Sequence, residues 1–121
     1  PDTDFLARLC DVYPDGRSFN ICEGVLRARF RHSFIEEEPL KPGHLYAIEL
    51  NLWPTSIVFN KGHRLRIDVT SSSSPAYDPN PNTGEPLRLS SRTAVAHTTI
   101  YVSSRYPSSV DFPIASGSGP Q

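Results

Sequence analysis

The sequence has no methionine, a single tryptophan and only two cysteines among its 121 residues, and its formal net charge is −1. A chain so close to neutral creates no long-range field, so we expect neither nucleic acid nor a membrane surface as a partner. No apolar run reaches the roughly 20 residues that span a bilayer, and no secretion signal is recognised at the start. A strand pattern begins almost directly after Pro1 without an initiator methionine, which predicts an excised piece of a longer protein.

The scarcity of cysteine leaves one pair to consider, Cys10 and Cys22, on either side of the turn sequence Pro14-Asp15-Gly16-Arg17. If that turn closes a hairpin, the two residues lie on neighbouring strands at nearly opposed positions. A disulfide and two half-buried thiols are then the alternatives. Because no secretion signal is recognised, we favour thiols in a reducing cytoplasm.

Apolar and polar residues alternate with a period of two wherever a pattern can be recognised, and no segment has a sustained helical period. Turn-forming pairs such as Pro42-Gly43 and Lys61-Gly62 separate the alternating segments. Six or so half-buried strands predict a single all-β domain over residues 1–114, built as a sandwich or barrel. The alternating segments are residues 5–13, 20–31, 44–53, 63–70, 94–102 and 109–114.

Two segments do not follow the strand pattern. Residues 71–92 are rich in Ser, Pro and Asn and too long for a simple connection, which predicts a functional loop or a segment that docks on another surface. Residues 115–121 are mostly Ser and Gly, and this composition predicts a flexible tail.

No motif supplies catalytic chemistry. The nearest approach to Gly-x-Ser-x-Gly, residues 116–120, has the wrong spacing and no helix pattern after it. Residues 78–84 resemble the start of an EF-hand loop, but glycine stands one position late and Leu89 occupies the place of the bidentate glutamate, so consecutive turns explain them better. Neither cysteine belongs to a Cys-x-x-Cys pair, and the histidines stand singly. We therefore predict no catalytic residue, no cofactor and no metal site. The histidines are His32, His44, His63 and His97.

Two groups of side chains are candidates for contact with another surface. Arg27, Arg29 and Arg31 form a basic stripe on one predicted strand face, which either makes solvated ion pairs with Glu36–Glu38 or a salt-bridged interface with another domain. Trp53, at the end of a predicted strand, either stacks on a ligand such as a sugar or closes the end of a sandwich.

A series of motifs in a fixed order runs through nearly the whole chain. It closely resembles the C-terminal domain of the family that contains cocaine esterase, X-Pro dipeptidyl-peptidase and α-amino-acid ester hydrolase. The motifs are Asp2-Thr3-Asp4-Phe5, Asp11–Arg17, Glu23–Arg31, Leu40–Gly43, Pro54–Phe59, Gly62–Ile67, Ser71–Gly84 and Tyr106–Ile114.

The resemblance implies a specific arrangement. In that family an α/β-hydrolase domain carries the Ser-His-Asp triad, and a C-terminal jelly-roll (galactose-binding-like) β-sandwich packs against it and helps to shape the substrate pocket. This chain is similar to the later part of such a jelly roll without its first strands, so no triad residue is assigned to any position. The implied partner is the α/β-hydrolase domain of the parent protein or its upstream fragment, and a second copy of the chain is a further expected partner.

The sequence thus predicts a non-catalytic docking domain of a serine hydrolase that acts on esters or amides. The alternative from another class is an independent jelly-roll module that binds a glycan or a protein. Several exposed aromatic residues on one concave surface would mark that alternative. The candidate docking residues are Arg27, Arg29, Arg31, Trp53, Tyr77, Asp78, Asn80 and Asn82.

Overall fold

The computed structural model describes residues 1–86, 89 and 91–116 of the chain. The predicted flexible tail, residues 115–121, lies outside the described residues from position 117 onward. Three positions of the predicted loop 71–92, namely 87, 88 and 90, also lie outside them.

The chain forms a three-stranded antiparallel sheet in the order β2-β1-β3. The strands are β1 (Asp4–Val12), β2 (Ser18–Arg27) and β3 (Arg64–Thr70), and one turn of 3-10 helix (Ala28–Phe30) follows β2. The all-β prediction is confirmed, and the antiparallel sheet is consistent with part of a β-sandwich.

The hairpin between β1 and β2 turns where its sequence predicts. The backbone N–H of Tyr13 donates to the carbonyl of Arg17 at 2.8 Å, and the N–H of Gly16 donates to the carbonyl of Tyr13 at 2.9 Å. Gly16 has φ of +90°, a conformation that side chains with a Cβ disfavour. The turn therefore needs glycine at this position.

A β-bulge shifts the register of the hairpin between Leu9 and Cys10. Leu9 pairs with Cys22, whereas Cys10 pairs with Asn20. Since neighbouring residues of a strand point to opposite faces, the two cysteine side chains lie on different faces of the sheet. Both are free thiols in this structure.

The core is built on the central strand. Leu6, Leu9, Cys10 and Val12 of β1 are buried, and Ala28 of the 3-10 turn joins them. Because Leu9 belongs to one face of β1 and Leu6 and Cys10 to the other, both faces of the central strand are covered. Covered faces are what a strand in the middle of a layered all-β fold requires.

Three of the predicted strands are wrong for the described residues: 44–53, 94–102 and 109–114 form no strand. Alternation indicates which side chains share a face, but a strand also needs a neighbour with a continuous hydrogen-bond ladder. Residues 50–53 come closest, since the N–H of Trp53 donates to the carbonyl of Glu23 at 3.0 Å along the outer edge of β2. The predicted strand 20–31 ends at Arg27, where the 3-10 turn replaces the period of two.

Gly24 permits the approach of this segment to the sheet. A Cβ at this position would lie 2.1 Å from the carbonyl oxygen of Asn51 and 2.7 Å from Cδ2 of Leu50. The segment 50–53 can therefore lie against β2 only because no side chain stands there.

No helix in the described part of the chain has the length and apolar character needed to cross a lipid bilayer.

Candidate functional site

The two aspartates that open the chain make ion pairs with the end of β2. Arg29 donates from Nε to Asp2 Oδ2 at 2.8 Å and from its backbone N–H to Asp2 Oδ1 at 2.9 Å. The exposed fractions of the two side chains are 4% for Arg29 and 1% for Asp2. An ion pair this deeply buried stabilises the fold only if the remaining polar atoms of both side chains are also hydrogen-bonded.

The next pair along the hairpin repeats this arrangement with two parallel hydrogen bonds. Arg27 donates from Nε and Nη2 to the two oxygens of Asp4 at 2.8 and 2.9 Å. The hydrogen bonds that Arg27 donates to the carboxylate of Asp4 raise the pKa of Arg27. Asn80 links the two pairs, because its Nδ2 donates to Asp2 Oδ2 and to Asp4 Oδ1, each at 2.8 Å. We name these residues the Asp–Arg cluster: Asp2, Asp4, Arg27, Arg29 and Asn80.

Arg31, the third arginine of the predicted stripe, also has partners within the chain. Its guanidinium donates from Nη1 to the carbonyl oxygens of Ala28 and Glu38, pairs from Nη2 with the carboxylate of Glu38 at 3.0 Å, and lies 4.7 Å from the ring centroid of Tyr46. Arg29 likewise meets Glu37 at 3.5 Å. The acidic run therefore neutralises the end of the stripe, but the side chains of Arg29 and Arg31 are only 4% and 3% exposed, so these are not the solvated ion pairs of the first alternative.

The predicted loop docks on the sheet of its own chain. Ser73 accepts a hydrogen bond from Arg8 at 3.2 Å, and Asn80 binds the two aspartates. Further along, the carbonyl oxygens of Gly84 and Glu85 accept from Arg29 at 3.3 and 3.2 Å. The loop is thus fixed at three points along the face that carries the Asp–Arg cluster.

Three further candidate residues belong to this loop. The N–H of Tyr77 donates to the carbonyl of Ser73 at 3.1 Å, which closes a turn. Asn82 has φ of +63° and donates from Nδ2 to the carbonyl of Ala94 at 3.0 Å, while its backbone N–H donates to the side chain of Asn80. Asp78 is exposed and lies near enough to contribute to the raised pKa of Arg27.

Trp53 stands on the rim of an open groove of about 460 Å³ between β2 and the loop. The exposed fraction of Trp53 is 62%. Arg8 and Glu23, cross-strand neighbours joined at 3.2 Å, supply two of the polar lining groups. Among the described residues that line the groove, Trp53 is the only aromatic one, which gives little support to a sugar-binding platform. The lining residues are Arg8, Asn20, Ile21, Cys22, Glu23, Trp53, Pro54, Ser73 and Ala76.

An imidazole–carboxylate pair lies at the other end of the sheet. Nδ1 of His63 is 2.8 Å from Oδ1 of Asp11, both side chains are largely buried, and the imidazole packs on the ring of Tyr13 at 4.2 Å. Over the described ranges, no serine, threonine or cysteine side chain is hydrogen-bonded to this histidine. This contact connects His63, the residue directly before β3, to Asp11 of β1.

In the part of the chain that the structure describes, no group of three or more His, Cys, Asp or Glu side chains could hold a metal ion. The carboxylates of Asp2 and Asp4 are close together, but Asn80 and two guanidinium groups occupy their oxygens.

Five of the eight candidate residues fall into two groups. Arg27, Arg29 and Asn80 meet in the Asp–Arg cluster, whereas Trp53 stands on the groove with the turn that holds Tyr77. Asp2 and Asp4 were not predicted from the sequence, although the pairing of the two hairpin strands would have indicated both of them. The register that places Asp4 opposite Arg27 also brings Asp2 towards Arg29.

Comparison with known proteins gives a consistent result. A family model described as the X-Pro dipeptidyl-peptidase C-terminal non-catalytic domain matches residues 1–111. A cocaine esterase of Rhodococcus sp. (strain MB1 Bresler) is 43% identical over 83 residues, which cover 69% of this chain and 14% of the relative. A protein of Mycobacterium bovis (strain ATCC BAA-935 / AF2122/97), named as a serine esterase, is 28% identical across 93% of this chain and 19% of its own length.

A solved structure shows the same similarity in three dimensions. The crystal structure of an aminopeptidase from the marine sediment archaeon Thaumarchaeota archaeon matches with a TM-score of 0.66 and 32% identity. The match covers 70% of this chain and 15% of the aminopeptidase chain. The chain therefore spans less than a fifth of the length of each of these relatives.

Proposed function

Because this chain belongs to the family of X-Pro dipeptidyl-peptidase C-terminal non-catalytic domains, we propose that it docks on the α/β-hydrolase domain of a serine hydrolase and helps to shape that enzyme's substrate pocket. The parent enzyme hydrolyses esters or amides through a serine nucleophile that this chain does not supply. The observation that carries the proposal is the family match over residues 1–111. The esterase and aminopeptidase names of the relatives support the substrate class.

The geometry favours one surface for docking. The Asp–Arg cluster has its hydrogen-bonding groups engaged inside the chain, so its role is to hold the loop in place. Trp53, in contrast, presents most of its indole to solvent beside a fixed turn that contains Ala76 and Tyr77. A large exposed aromatic beside a preorganised groove is the kind of anchor that dominates protein interfaces. We place the docking surface on the groove that Trp53 borders.

The first experiment treats the chain alone with a chromogenic ester and with a fluorophosphonate probe for activated serines. We expect neither turnover nor labelling, because His63 has no hydroxyl partner among the described residues. Turnover that depends on a serine of this chain would overturn the proposal.

The second experiment places the chain in the Rhodococcus cocaine esterase, in exchange for the segment that it matches. We expect the chimera to be soluble and to hydrolyse an ester substrate. Trp53→Ala should lower the turnover or the thermal midpoint of the chimera, whereas Phe34→Ala, which removes an aromatic side chain that is 95% exposed away from the groove, should change neither. Equal effects of the two substitutions would contradict the assignment of the docking surface.

A further inference from the structure

The tip of the hairpin between β1 and β2 carries the pair Asp15-Gly16. Every other aspartate of the sequence, and every asparagine, precedes a residue that has a Cβ. A glycine after an aspartate leaves its backbone nitrogen unshielded, so that this nitrogen can attack the carboxyl carbon of the aspartate. Asp15-Gly16 is therefore the position at which the backbone is least hindered from rearranging.

The turn holds the two reacting groups side by side. Oδ1 of Asp15 accepts a hydrogen bond from the backbone N–H of Arg17 at 3.0 Å, an Asx turn that lays the carboxyl group along the Asp15–Gly16 peptide. The side chain of Asp15 is 56% exposed. Apart from the neighbouring residues, no atom lies within 4 Å of the place that a Cβ of Gly16 would take. Water therefore has free access to this peptide.

Two features of the same turn restrain the attack. The N–H of Gly16 donates to the carbonyl of Tyr13 at 2.9 Å, so the attacking nitrogen is engaged. Arg17 donates from Nε to Oδ2 of Asp15 at 2.7 Å, while its guanidinium lies 5.1 Å from the ring centroid of Tyr13. The hydrogen bond from the backbone N–H of Arg17, and further the contact with its side chain, lowers the pKa of Asp15. Because a carboxylate ion is a poorer electrophile than the acid, Arg17 keeps Asp15 in its less reactive form.

We propose that Asp15-Gly16 is a modification site of this domain at which isoaspartate forms, and that the side chain of Arg17 limits the rate of this reaction. The nitrogen of Gly16 bonds to Cγ of Asp15, and the amide proton leaves with the carboxyl hydroxyl as water, which gives a cyclic succinimide. Addition of water to the former peptide carbonyl carbon breaks its bond to nitrogen and yields isoaspartate. Addition to Cγ restores aspartate. The reaction needs no oxidant, no reductant and no reactant besides water.

The product would alter the hairpin tip. The methylene carbon of Asp15 would enter the main chain, and the α-carboxylate would become the free acidic group. The Asx turn and the hydrogen bond from the N–H of Tyr13 to the carbonyl of Arg17 depend on the present backbone length. A free α-carboxylate beside a β-linked peptide is the group that isoaspartyl methyltransferases esterify with S-adenosylmethionine. The modified domain would therefore be a substrate for that class of enzyme.

Incubation of the purified chain at mildly acidic pH tests the proposal. Methyl transfer from radiolabelled S-adenosylmethionine measures the amount of isoaspartate, and peptide mapping with electron-transfer fragmentation locates it, as we expect, at position 15. Arg17→Ala should accelerate the reaction about two- to fivefold, the range that the loss of one exposed ion pair covers. The control Arg105→Ala removes an arginine that also stacks on a tyrosine, at 5.3 Å, but in another segment, and should leave the rate unchanged.

Two substitutions of Asp15 itself test the chemistry. Asp15→Asn forms the same succinimide by releasing ammonia and does not depend on a protonated acid, so it should convert faster than the wild-type chain. Asp15→Glu keeps the charge but would have to close a larger and less favourable ring, so methyl transfer to this position should disappear.

The unfolded chain shows whether the restraint belongs to the structure. In urea the wild-type chain and Arg17→Ala should convert at the same rate, because the contact between Arg17 and Asp15 is lost. Circular dichroism of each variant under native conditions confirms that faster conversion does not reflect unfolding. Absence of isoaspartate at position 15 under conditions in which Asp15→Asn converts would overturn the proposal. Equal rates for the folded wild-type chain and folded Arg17→Ala would overturn the role of Arg17.

Discussion

Asp2 and Arg29 are joined twice, through the guanidinium Nε and through the backbone N–H of the arginine, at 2.8 and 2.9 Å. Replacing Asp2 by Asn would leave the buried guanidinium of Arg29 with only the half-exposed carboxylate of Glu37, at 3.5 Å, as a paired counter-charge. Removing one partner of a buried ion pair costs about 3–5 kcal/mol. We expect Asp2→Asn to lower the free energy of unfolding by that amount in urea denaturation. The same change in the exposed pair of Asp15 and Arg17, Asp15→Asn, is the control and should leave the urea midpoint nearly unchanged.

Asn80 fastens the loop to the sheet by donating to two carboxylates. Asn80→Asp would replace this donor by a third negative charge beside Asp2 and Asp4. Since an unsatisfied buried group costs about 1–3 kcal/mol, amide hydrogen exchange in residues 71–86 should accelerate by roughly tenfold or more. The same substitution at the exposed Asn60 should leave exchange in the loop unchanged. Loop protection that survives Asn80→Asp would show that Ser73 and Glu85 hold the loop without it.

Gly24 permits residues 50–53 to lie against β2. In Gly24→Ala the new methyl group would overlap the carbonyl of Asn51, so either the strand or the segment must move. We expect a loss of about 1–3 kcal/mol of stability and a red shift of the single tryptophan's fluorescence, because Trp53 follows the displaced segment. Gly16→Ala, which is strained only by its positive φ and meets no atom within 4 Å, should leave the emission unchanged.

Burial raises the pKa of the Cys22 thiol above its ordinary value. The folded chain thus holds this proton more tightly than the unfolded chain does. The resulting stabilisation is fully present below the ordinary thiol pKa and is lost as the pH rises through the raised value. Between about pH 8 and about pH 10.5, urea midpoints of the wild-type chain should fall further than those of Cys22→Ala. Parallel pH profiles for the two proteins would refute this.

The sequence predicts the sheet better than its surroundings, and the residues explain why. In β1 the apolar side chains Leu6, Leu9 and Val12 are buried, and in both β1 and β3 the period of two coincides with the hydrogen-bond ladder. The strands Asp4–Val12 and Arg64–Thr70 lie within two residues of the predicted bounds. In residues 44–53 the same period occurs without a ladder, because alternation does not tell whether a neighbouring strand is present. The sequence alone also treats Arg27, Arg29 and Arg31 as one stripe, since the 3-10 turn that redirects the chain after Arg27 has no periodic signal.

The bulge between Leu9 and Cys10 has a consequence for where this fold can exist. It sends the two sulfur atoms to opposite sides of the sheet, and Cβ vectors that point apart cannot be bridged without moving the backbone. In an oxidising environment the hairpin therefore forms no internal disulfide, and in a reducing environment there is none to break. The folded state should have the same thermal midpoint with and without dithiothreitol, so the domain can be transferred between compartments of different redox potential without a change in its own stability.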